Sequence, residues 1–167
     1  MNRYGRAVDA LSPDEKEEWH RVHQRVLRVC DTGAKKDVGV FIDAEDTWIQ
    51  DPVDALVIMM MDTFNKKKCV VYNTLQHYRH DRIEFLKDSH AAAVARGFIL
   101  GAKLVRGAYM EKERKRALEM NYPSPINPDK ESSDRDYNAG VKYCIDHIDR
   151  IALVVASHNE YSNLYAT

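Results

Sequence analysis

The sequence is poor in the residues that mark several large classes of protein. It contains three cysteines, Cys30, Cys69 and Cys144, and their odd number and wide spacing fit neither a disulfide framework nor a CxxC metal knuckle. Seven glycines and five prolines in 167 residues leave no low-complexity segment. We therefore interpret the chain as a folded protein of a reducing compartment.

Net charge and long apolar runs are also missing. The 25 Lys and Arg residues are balanced by 26 Asp and Glu residues, so no bulk attraction to nucleic acid is expected. The longest apolar run, 55–61, is far short of the roughly 18 residues that a transmembrane helix needs. The start, 1–4, has no apolar stretch typical of a signal peptide. We expect no nucleic-acid partner and no transmembrane segment.

Several catalytic motifs are absent as well. No GxGxxG follows a predicted strand, and neither GxxxxGK[ST] nor GxSxG occurs, which disfavours a dinucleotide fingerprint, a P-loop and a nucleophilic serine. The pairs His20/His23 and His77/His80 have no carboxylate or thiolate partner at a convincing metal-ligand spacing. The sequence therefore predicts no metal site.

What the sequence does have is an alternation of short β-branched stretches with longer helical patterns. The predicted strands are Val38–Ile42, Cys69–Thr74, Gly101–Arg106 and Ile151–Ala156. The first three start about 30 residues apart, which is the length of a βαβ unit. This pattern predicts an α/β fold with a parallel sheet, either doubly wound or a (βα)8 barrel.

Helix starts and faces can also be predicted. Ser12, followed by Pro13 and by Glu15 three residues on, predicts an N-cap with a capping box. Asp51-Pro52 predicts a second helix that opens in the same way. Apolar spacing predicts four buried helix faces, and the methionines of 59–61 are expected to fill the core. The residues proposed for these faces are Trp19, Val22 and Val26, then Val53, Leu56, Val57, Met60 and Phe64, then Ile83, Leu86 and Val94, then Val141, Cys144, Ile145 and Ile148.

Polar residues within the strands favour a barrel over a doubly wound sheet. Alternation puts Tyr72, Thr74 and Gln76 on one side of the second strand, and Lys103 and Val105 on one side of the third. Such a row is unusual in a central parallel strand, but it suits a barrel lumen that binds a polar ligand. We expect one domain over 1–167, with a helical segment at 1–37 and about four βα units at 38–167, which is a partial (βα)8 TIM barrel.

Polar residues also gather where the predicted strands end. Because parallel strands point the same way, these ends converge at one rim, where such folds bind ligands. Structural roles remain open for several of them: Asp43 could cap a turn or pair with Lys103, and Asn159 could cap a helix. The residues at the rim are Asp43, Glu45, Asn73, Gln76, Arg106, Tyr109, Ser157, His158 and Asn159.

Three strings on successive predicted strands are recognisable together. The sequence closely resembles the FAD-dependent proline dehydrogenase family from about Val38 onward. The strings that carry the resemblance are Phe41-Ile-Asp-Ala-Glu45, Lys103-Leu-Val-Arg-Gly-Ala-Tyr109 and Ala156-Ser-His-Asn159. Supporting similarity comes from 111–117 and from the proline-rich insertion 121–128, which we expect to form a rigid excursion where a lid would sit.

The resemblance implies a (βα)8 barrel that holds FAD at its C-terminal rim, oxidises L-proline to 1-pyrroline-5-carboxylate and passes electrons to a membrane quinone. It implies that Asp43 and Tyr109 line the proline site. Ser133 would meet the FAD phosphates from a position ahead of a helix that begins near Asp134. The implied FAD contacts are Gln76, Lys103, Val105, Gly107, Ala108, Met110, Ser133, Ala156, Ser157, His158 and Asn159.

The resemblance also carries expectations about location and extent. It implies a cytoplasmic or peripheral inner-membrane protein in a bacterium and a mitochondrial one in a eukaryote. The family's first barrel strand would precede Met1, and its last three βα units, with paired arginines for the proline carboxylate, would follow Thr167. Two other functions stay open: an inactive barrel fragment that acts as an interaction module, and a lyase that uses Lys103 as a Schiff base with Asp43 as acid and base.

Overall fold

The computed structural model describes residues 11–167, so the segment 1–4, where no signal peptide is expected, lies outside it. Strands and helices alternate along these residues. In chain order they are α1 (Pro13–Lys36), β1 (Val40–Ile42), a 3-10 helix (Thr47–Ile49), α2 (Gln50–Phe64), β2 (Val71–Gln76), α3 (Arg82–Arg96), β3 (Leu100–Val105), α4 (Met110–Glu119), α5 (Lys130–Asp146), β4 (Ile151–Val155) and α6 (Glu160–Tyr165).

The four strands form one parallel sheet in the order β1-β2-β3-β4. In register, Tyr72 lies opposite Phe41, and Lys103 lies between Thr74 on β2 and Val154 on β4. A doubly wound sheet reverses its strand order at a switch point, whereas a barrel keeps the strands in sequence. The α/β class is confirmed, and the strand order is that of a barrel section.

Helices cover one face of this sheet. The strand residues that enter the hydrophobic core are Val71, Leu75, Leu100, Ala102, Leu104 and Ile151, which alternate along their strands and pack with residues of α1, α2, α3 and α5. The opposite face corresponds to the inside of a barrel, and we call it the lumenal face. It is defined by Phe41, Tyr72, Thr74, Lys103 and Val154.

The first two strands start later than predicted. Asp37, at φ 60°, ends α1 in a left-handed turn, and the backbone N–H of Val38 donates to the Gly33 carbonyl at 2.9 Å. Val38 therefore belongs to the helix terminus, and β1 begins at Val40. β2 runs on to Gln76, and the ladder continues one residue further, because the N–H of His77 donates to the Val105 carbonyl at 2.8 Å.

The capping box of α1 is confirmed. The N–H of Glu15 donates to the Ser12 Oγ at 3.3 Å, and the N–H of Ser12 donates to a Glu15 carboxylate oxygen at 2.8 Å. The matching prediction for α2 is wrong. The 3-10 helix leads directly into α2 at Gln50, no side chain caps it, and Asp51 lies within its first turn.

The predicted helix faces are confirmed in part. Met60 and Met61 are buried in the core, as predicted. In α3, Val94 is exposed and Ala93 is buried instead, because Leu86, Ser89 and Ala93 share the face that packs on the sheet. The prediction for the last apolar face is also wrong at its C-terminal end. Val141 and Cys144 are buried as predicted, but Ile145 and Ile148 are exposed.

A buried ionic network holds the turn that follows β2. The Asp54 carboxylate on α2 accepts hydrogen bonds from Gln50 at 2.9 Å, from Asn73 at 2.8 Å and from Arg82 at 2.8 Å. Arg82 also donates to Asp81 through two nitrogens, at 3.0 and 2.7 Å. Arg82 thus bridges Asp54 on α2 and Asp81 in the turn. Separating the turn from α2 would leave a buried charge unpaired, and this cost holds the two together.

The three cysteines are unpaired thiols, as their spacing predicts. Burial raises the pKa of the Cys30 thiol to about 11, that of Cys69 to about 11 and that of Cys144 to about 12. Within residues 11–167, no helix combines the length and the apolar character that crossing a bilayer would require.

His77 packs against α5 at the end of β2. Its ring is fully buried and meets Tyr137 edge-on, with ring centroids 6.3 Å apart. A Cβ atom added at Gly140 would lie 2.7 Å from the His77 Cε1. Glycine at 140 therefore allows α5 to approach the imidazole.

We expect Gly140→Ala to lower the free energy of unfolding by about 1–3 kcal/mol, because the new methyl group overlaps the His77 ring. In a double-mutant cycle with His77→Ala, which removes the clashing ring, the cost of Gly140→Ala should largely disappear. Urea unfolding of the four proteins measures this coupling. Strict additivity of the two substitutions would contradict the packing argument.

Burial, assisted by the charge of Arg82, lowers the pKa of His77 from 6.5 to about 3. The unfolded chain therefore binds a proton that the folded chain does not, and stability is lost as the pH falls below 6.5. We expect this group to contribute a slope of about 1.4 kcal/mol per pH unit between pH 5.5 and 4. His77→Gln should flatten urea-derived stability over that range, whereas the exposed control His80→Gln should not.

Candidate functional site

The strand ends meet at one edge of the sheet, as the parallel arrangement requires. There the polar residues fall into two adjoining groups. One group extends the lumenal face and contains Asp43, Thr74, Gln76 and Lys103. The other lines a cavity between the ends of β3 and β4 and the start of α5.

An ion pair lies at the centre of the first group. The Lys103 Nζ is 2.5 Å from the Asp43 Oδ1, and the Thr74 hydroxyl donates to the same oxygen at 3.0 Å. The Lys103 Nζ also lies 5.9 Å from the centroid of the Phe41 ring, which stacks on Tyr72 at 4.8 Å. The possible pairing of Lys103 with Asp43 is therefore confirmed, and the pair lies on the lumenal face.

This pairing sets the charge state of Asp43. The hydrogen bond from Lys103 lowers the pKa of the carboxyl below 3.8, and it outweighs the opposing effect of partial burial. The hydrogen bond from Thr74 and the charge of Lys103 lower it further. Asp43 is consequently an ionised acceptor at neutral pH, beside a fixed cation.

Gln76 supplies an unusual acceptor. Its side chain is buried, and its Nε2 donates to the Glu45 carbonyl at 2.8 Å, which ties β2 to the loop after β1. Its Oε1 is buried, and no hydrogen-bond partner for it occurs among residues 11–167. A buried acceptor without a donor is costly, so this atom is suited to receive an N–H from a ligand.

The cavity has a volume of about 350 Å³. Seven of the predicted FAD contacts line it, namely Gly107, Met110, Ser133, Ala156, Ser157, His158 and Asn159. Its remaining wall comes from Arg106, Lys130 and Asp134, which the family resemblance does not imply as cofactor contacts. The other four predicted contacts are placed differently: Gln76, Lys103 and Val105 belong to the side of the sheet that bears the lumenal face, and Ala108 is exposed in the β3–α4 turn.

Arg106 joins the elements around this cavity. Its guanidinium donates to the Ser157 Oγ at 3.1 Å and to the Ser162 Oγ at 3.0 Å, and it lies 2.9 Å from the Asp134 carboxylate. It also stacks over the Tyr137 ring at 4.3 Å. The sequence places Arg106 at the rim but does not predict these contacts, because they depend on how α5 and α6 pack.

The predicted position of Ser133, ahead of a helix that begins near Asp134, is wrong. α5 begins at Lys130, and Asp129 caps it by accepting from the Ser132 N–H at 2.7 Å. Ser133 therefore lies inside the first turn and not ahead of the helix, and its hydroxyl donates to the Asp129 carbonyl at 3.2 Å. It still lines the cavity, near the positive end of the helix dipole.

The cavity wall on the β4 side is held by a helix cap. Asn159 caps α6 by accepting from the Ser162 N–H at 3.0 Å, and its own N–H donates to the Ser157 Oγ at 3.1 Å. The expected structural role of Asn159 is therefore confirmed, and the residue also lines the cavity. His158, between the two, is exposed.

Tyr109 precedes α4 in a conformation that is uncommon for a residue with a side chain. Its φ is 53°, and Gly107, two residues earlier, has φ 89°. A left-handed residue other than glycine costs on the order of 1 kcal/mol, and such strain clusters at functional sites. The turn leaves the Tyr109 ring 40% exposed at the rim.

We expect NMR titration of the Asp43 carboxyl carbon to give a pKa below 3.8, because Lys103 stabilises the ionised form. Lys103→Met removes the donor and the charge, so the pKa should rise toward or above 3.8, whereas Lys142→Met, which removes a surface pair with Asp146, should leave it unchanged. A titration unaltered by Lys103→Met would contradict the ion pair.

Comparison with known proteins identifies relatives of the chain. Over 161 residues the chain is 39% identical to the carbapenem antibiotics biosynthesis protein CarD of Pectobacterium carotovorum, covering 95% of this chain and 42% of that protein. Over 165 residues it is 33% identical to the mitochondrial proline dehydrogenase 1 of Drosophila melanogaster, covering 93% of this chain and 24% of that protein. The chain therefore spans less than half the length of these relatives.

Among solved structures, proline utilization A from Bdellovibrio bacteriovorus inactivated by N-propargylglycine is similar, with a TM-score of 0.83 and 27% identity. That match covers 90% of this chain and 16% of the other, so the four strands and their helices correspond to part of a larger protein. The family model for proline dehydrogenase matches residues 1–167. This chain belongs to the proline dehydrogenase family.

Proposed function

We propose that the chain is part of a flavoenzyme that oxidises L-proline to 1-pyrroline-5-carboxylate. One observation carries the proposal. The Lys103–Asp43 pair, the buried Gln76 acceptor and a cavity of about 350 Å³ all lie at the same rim of the sheet. Family membership supports proline as the substrate class. Asp43 and Tyr109 are the residues we assign to the substrate.

The residues at the rim fit FAD. Gly107 leaves open space, since an added Cβ would meet nothing within 4 Å, and this permits a planar ring system to approach the backbone. Arg106 and Lys130 share the single Asp134 carboxylate as an ion-pair partner, so one positive charge is left in excess beside the first turn of α5, which suits a phosphate. The Gln76 Oε1 offers an acceptor for a ring N–H.

The chemistry that FAD supplies when bound is hydride acceptance. Lys103 places a fixed cation at the rim, where it stabilises negative charge that develops in the transition state. Asp43 presents an ionised carboxylate toward the amine of the substrate. Tyr109 presents an aromatic ring that packs beside the proline ring and shields it from water. The protein thus binds and orients, and no protein nucleophile is required.

The proposal includes a membrane quinone as electron acceptor, reached through peripheral contact. In a eukaryotic source the corresponding compartment is the mitochondrion. In a bacterial source it is the cytoplasm or the periphery of the inner membrane.

The Schiff-base lyase is less well supported by the geometry. A lysine that forms a Schiff base must lose its proton, and a carboxylate 2.5 Å away favours the charged ammonium. An interaction module is favoured by one observation, the 48% exposure of the apolar Phe41 ring on the lumenal face.

We expect the purified chain to bind added FAD and to show visible absorbance that L-proline bleaches under anaerobic conditions. Lys103→Met should slow bleaching roughly 100-fold, because a fixed charge at the reacting centre is lost. Lys142→Met removes a surface ion pair with Asp146 and should bleach like the wild type.

Borohydride with a carbonyl substrate should trap no adduct on Lys103, whereas the lyase predicts one. A folded chain that binds no FAD would contradict the proposal and favour the interaction module. If FAD binds but proline is inert, a chain extended to the length of the relatives tests whether additional substrate contacts are required.

A further inference from the structure

A buried carboxylate on α4 joins two segments that are distant in sequence. The Glu113 side chain is 2% exposed, and its two oxygens have different partners. One accepts from the Thr47 hydroxyl in the 3-10 helix, and the other accepts from the Tyr122 hydroxyl at 2.6 Å. Both oxygens are therefore satisfied without water, as a buried carboxylate requires.

Two neighbouring side chains of α4 reach the same 3-10 helix. The Lys112 Nζ lies 2.5 Å from the Asp46 carboxylate and 5.2 Å from the centroid of the Trp48 ring. The Arg116 guanidinium also lies over the Trp48 ring, with its Cζ 4.1 Å from the ring centroid. We call these contacts the α4 clasp, formed by Lys112, Glu113 and Arg116 with Asp46, Thr47 and Trp48.

The α4 clasp connects the two residues assigned to the substrate. Asp43 lies four residues before Thr47 in the same loop, and Tyr109 lies one helical turn before Glu113, whose N–H donates to the Tyr109 carbonyl at 3.1 Å. Asp43 is also tied to β3 by its ion pair with Lys103, from which Tyr109 is reached only through the strained turn. The clasp is a second connection, which runs through α4 and the 3-10 helix.

A buried tyrosine interacts electrostatically with residues of the clasp. The Tyr78 side chain is fully buried, and within residues 11–167 its hydroxyl has no hydrogen-bond partner. Burial raises the pKa of this hydroxyl; the charge of Arg79 lowers it, and Tyr109 and the negative charges of Glu113 and Asp46 raise it further.

We propose that Glu113 is a positioning residue that fixes Tyr109 relative to Asp43 by holding α4 against the β1–α2 loop. The inference rests on the proposed function for its catalytic meaning, although the clasp itself can be measured independently. A displacement of the substrate wall by about 1 Å is enough to cost an order of magnitude or more in rate.

The clasp is tested first without substrate. In a Trp19→Phe background, Trp48 reports the packing of α4. Glu113→Ala should shift its emission to longer wavelength and increase hydrogen exchange in the first turn of α4 at least tenfold. The control Glu111→Ala, on the same helix, removes a carboxylate that is 87% exposed and forms a surface ion pair with Arg114, so it should behave like the wild type.

The catalytic consequence is tested with FAD and L-proline. Glu113→Ala should raise the proline KM about tenfold while changing kcat less, because the wall beside the substrate moves while Lys103 stays. Glu113→Gln keeps the shape of the side chain and can still accept a hydrogen bond from one of the two hydroxyls, so most of the affinity for proline should be retained. If Glu113→Ala does not fold, Tyr122→Phe removes a single hydrogen bond and should change both measurements in the same direction.

Unchanged exchange and emission in Glu113→Ala would overturn the clasp and leave the proposed function intact. Faster exchange with an unchanged proline KM would overturn the positioning role. If proline bleaches neither the wild type nor its extended form, the proposed function fails and the positioning role fails with it, while the emission and exchange data still show whether α4 is held.

Discussion

The register between β2 and β3 is the constraint on which the site depends. Thr74 lies opposite Lys103, and side chains alternate along both strands, so Thr74 and Lys103 reach the lumenal face together with Asp43. A shift of one residue would move Lys103 into the helix-covered core, where a lone ammonium has no partner. The hydrophobic residues Leu75 and Leu104 prevent that shift, because they would then leave the core.

The same register explains how a polar row is tolerated inside the sheet. A charged side chain on an inward face is costly when it is unpaired, and the Lys103–Asp43 pair offsets that cost. Gln76 satisfies one of its two polar ends through the Glu45 carbonyl and keeps the other free. Stability and ligand recognition therefore draw on the same atoms, which is typical of a binding rim built on rigid strands.

Local sequence was sufficient for features that depend on neighbours in the chain. The strands, the α1 capping box and the buried methionines follow from alternation, from a spacing of three residues and from helical periodicity. The start of α2 and the position of Ser133 could not be predicted in this way. The former depends on a 3-10 helix without a sequence signal, and the latter depends on Asp129, which caps α5 earlier than Asp134 suggests.

Contacts between distant elements could not be predicted from the sequence either. The Asp54–Arg82 and Glu113–Thr47 contacts each join segments more than 25 residues apart, and buried charges at such positions look like solvated helix faces in the sequence. The resemblance to a family placed most of the cavity residues, but it did not indicate Lys130 or Asp134 as part of the wall. Those two residues follow from where α5 begins.

The burial of the cysteines has a practical consequence for spectroscopy. Thiolates are the reactive form, and the raised pKa values of Cys30, Cys69 and Cys144 keep all three protonated at neutral pH. Maleimide dyes and nitroxides will therefore react slowly with the native thiols. A single cysteine introduced at an exposed position such as Leu118 becomes the preferred attachment point, so that distances across the rim can be followed without first removing the natural cysteines.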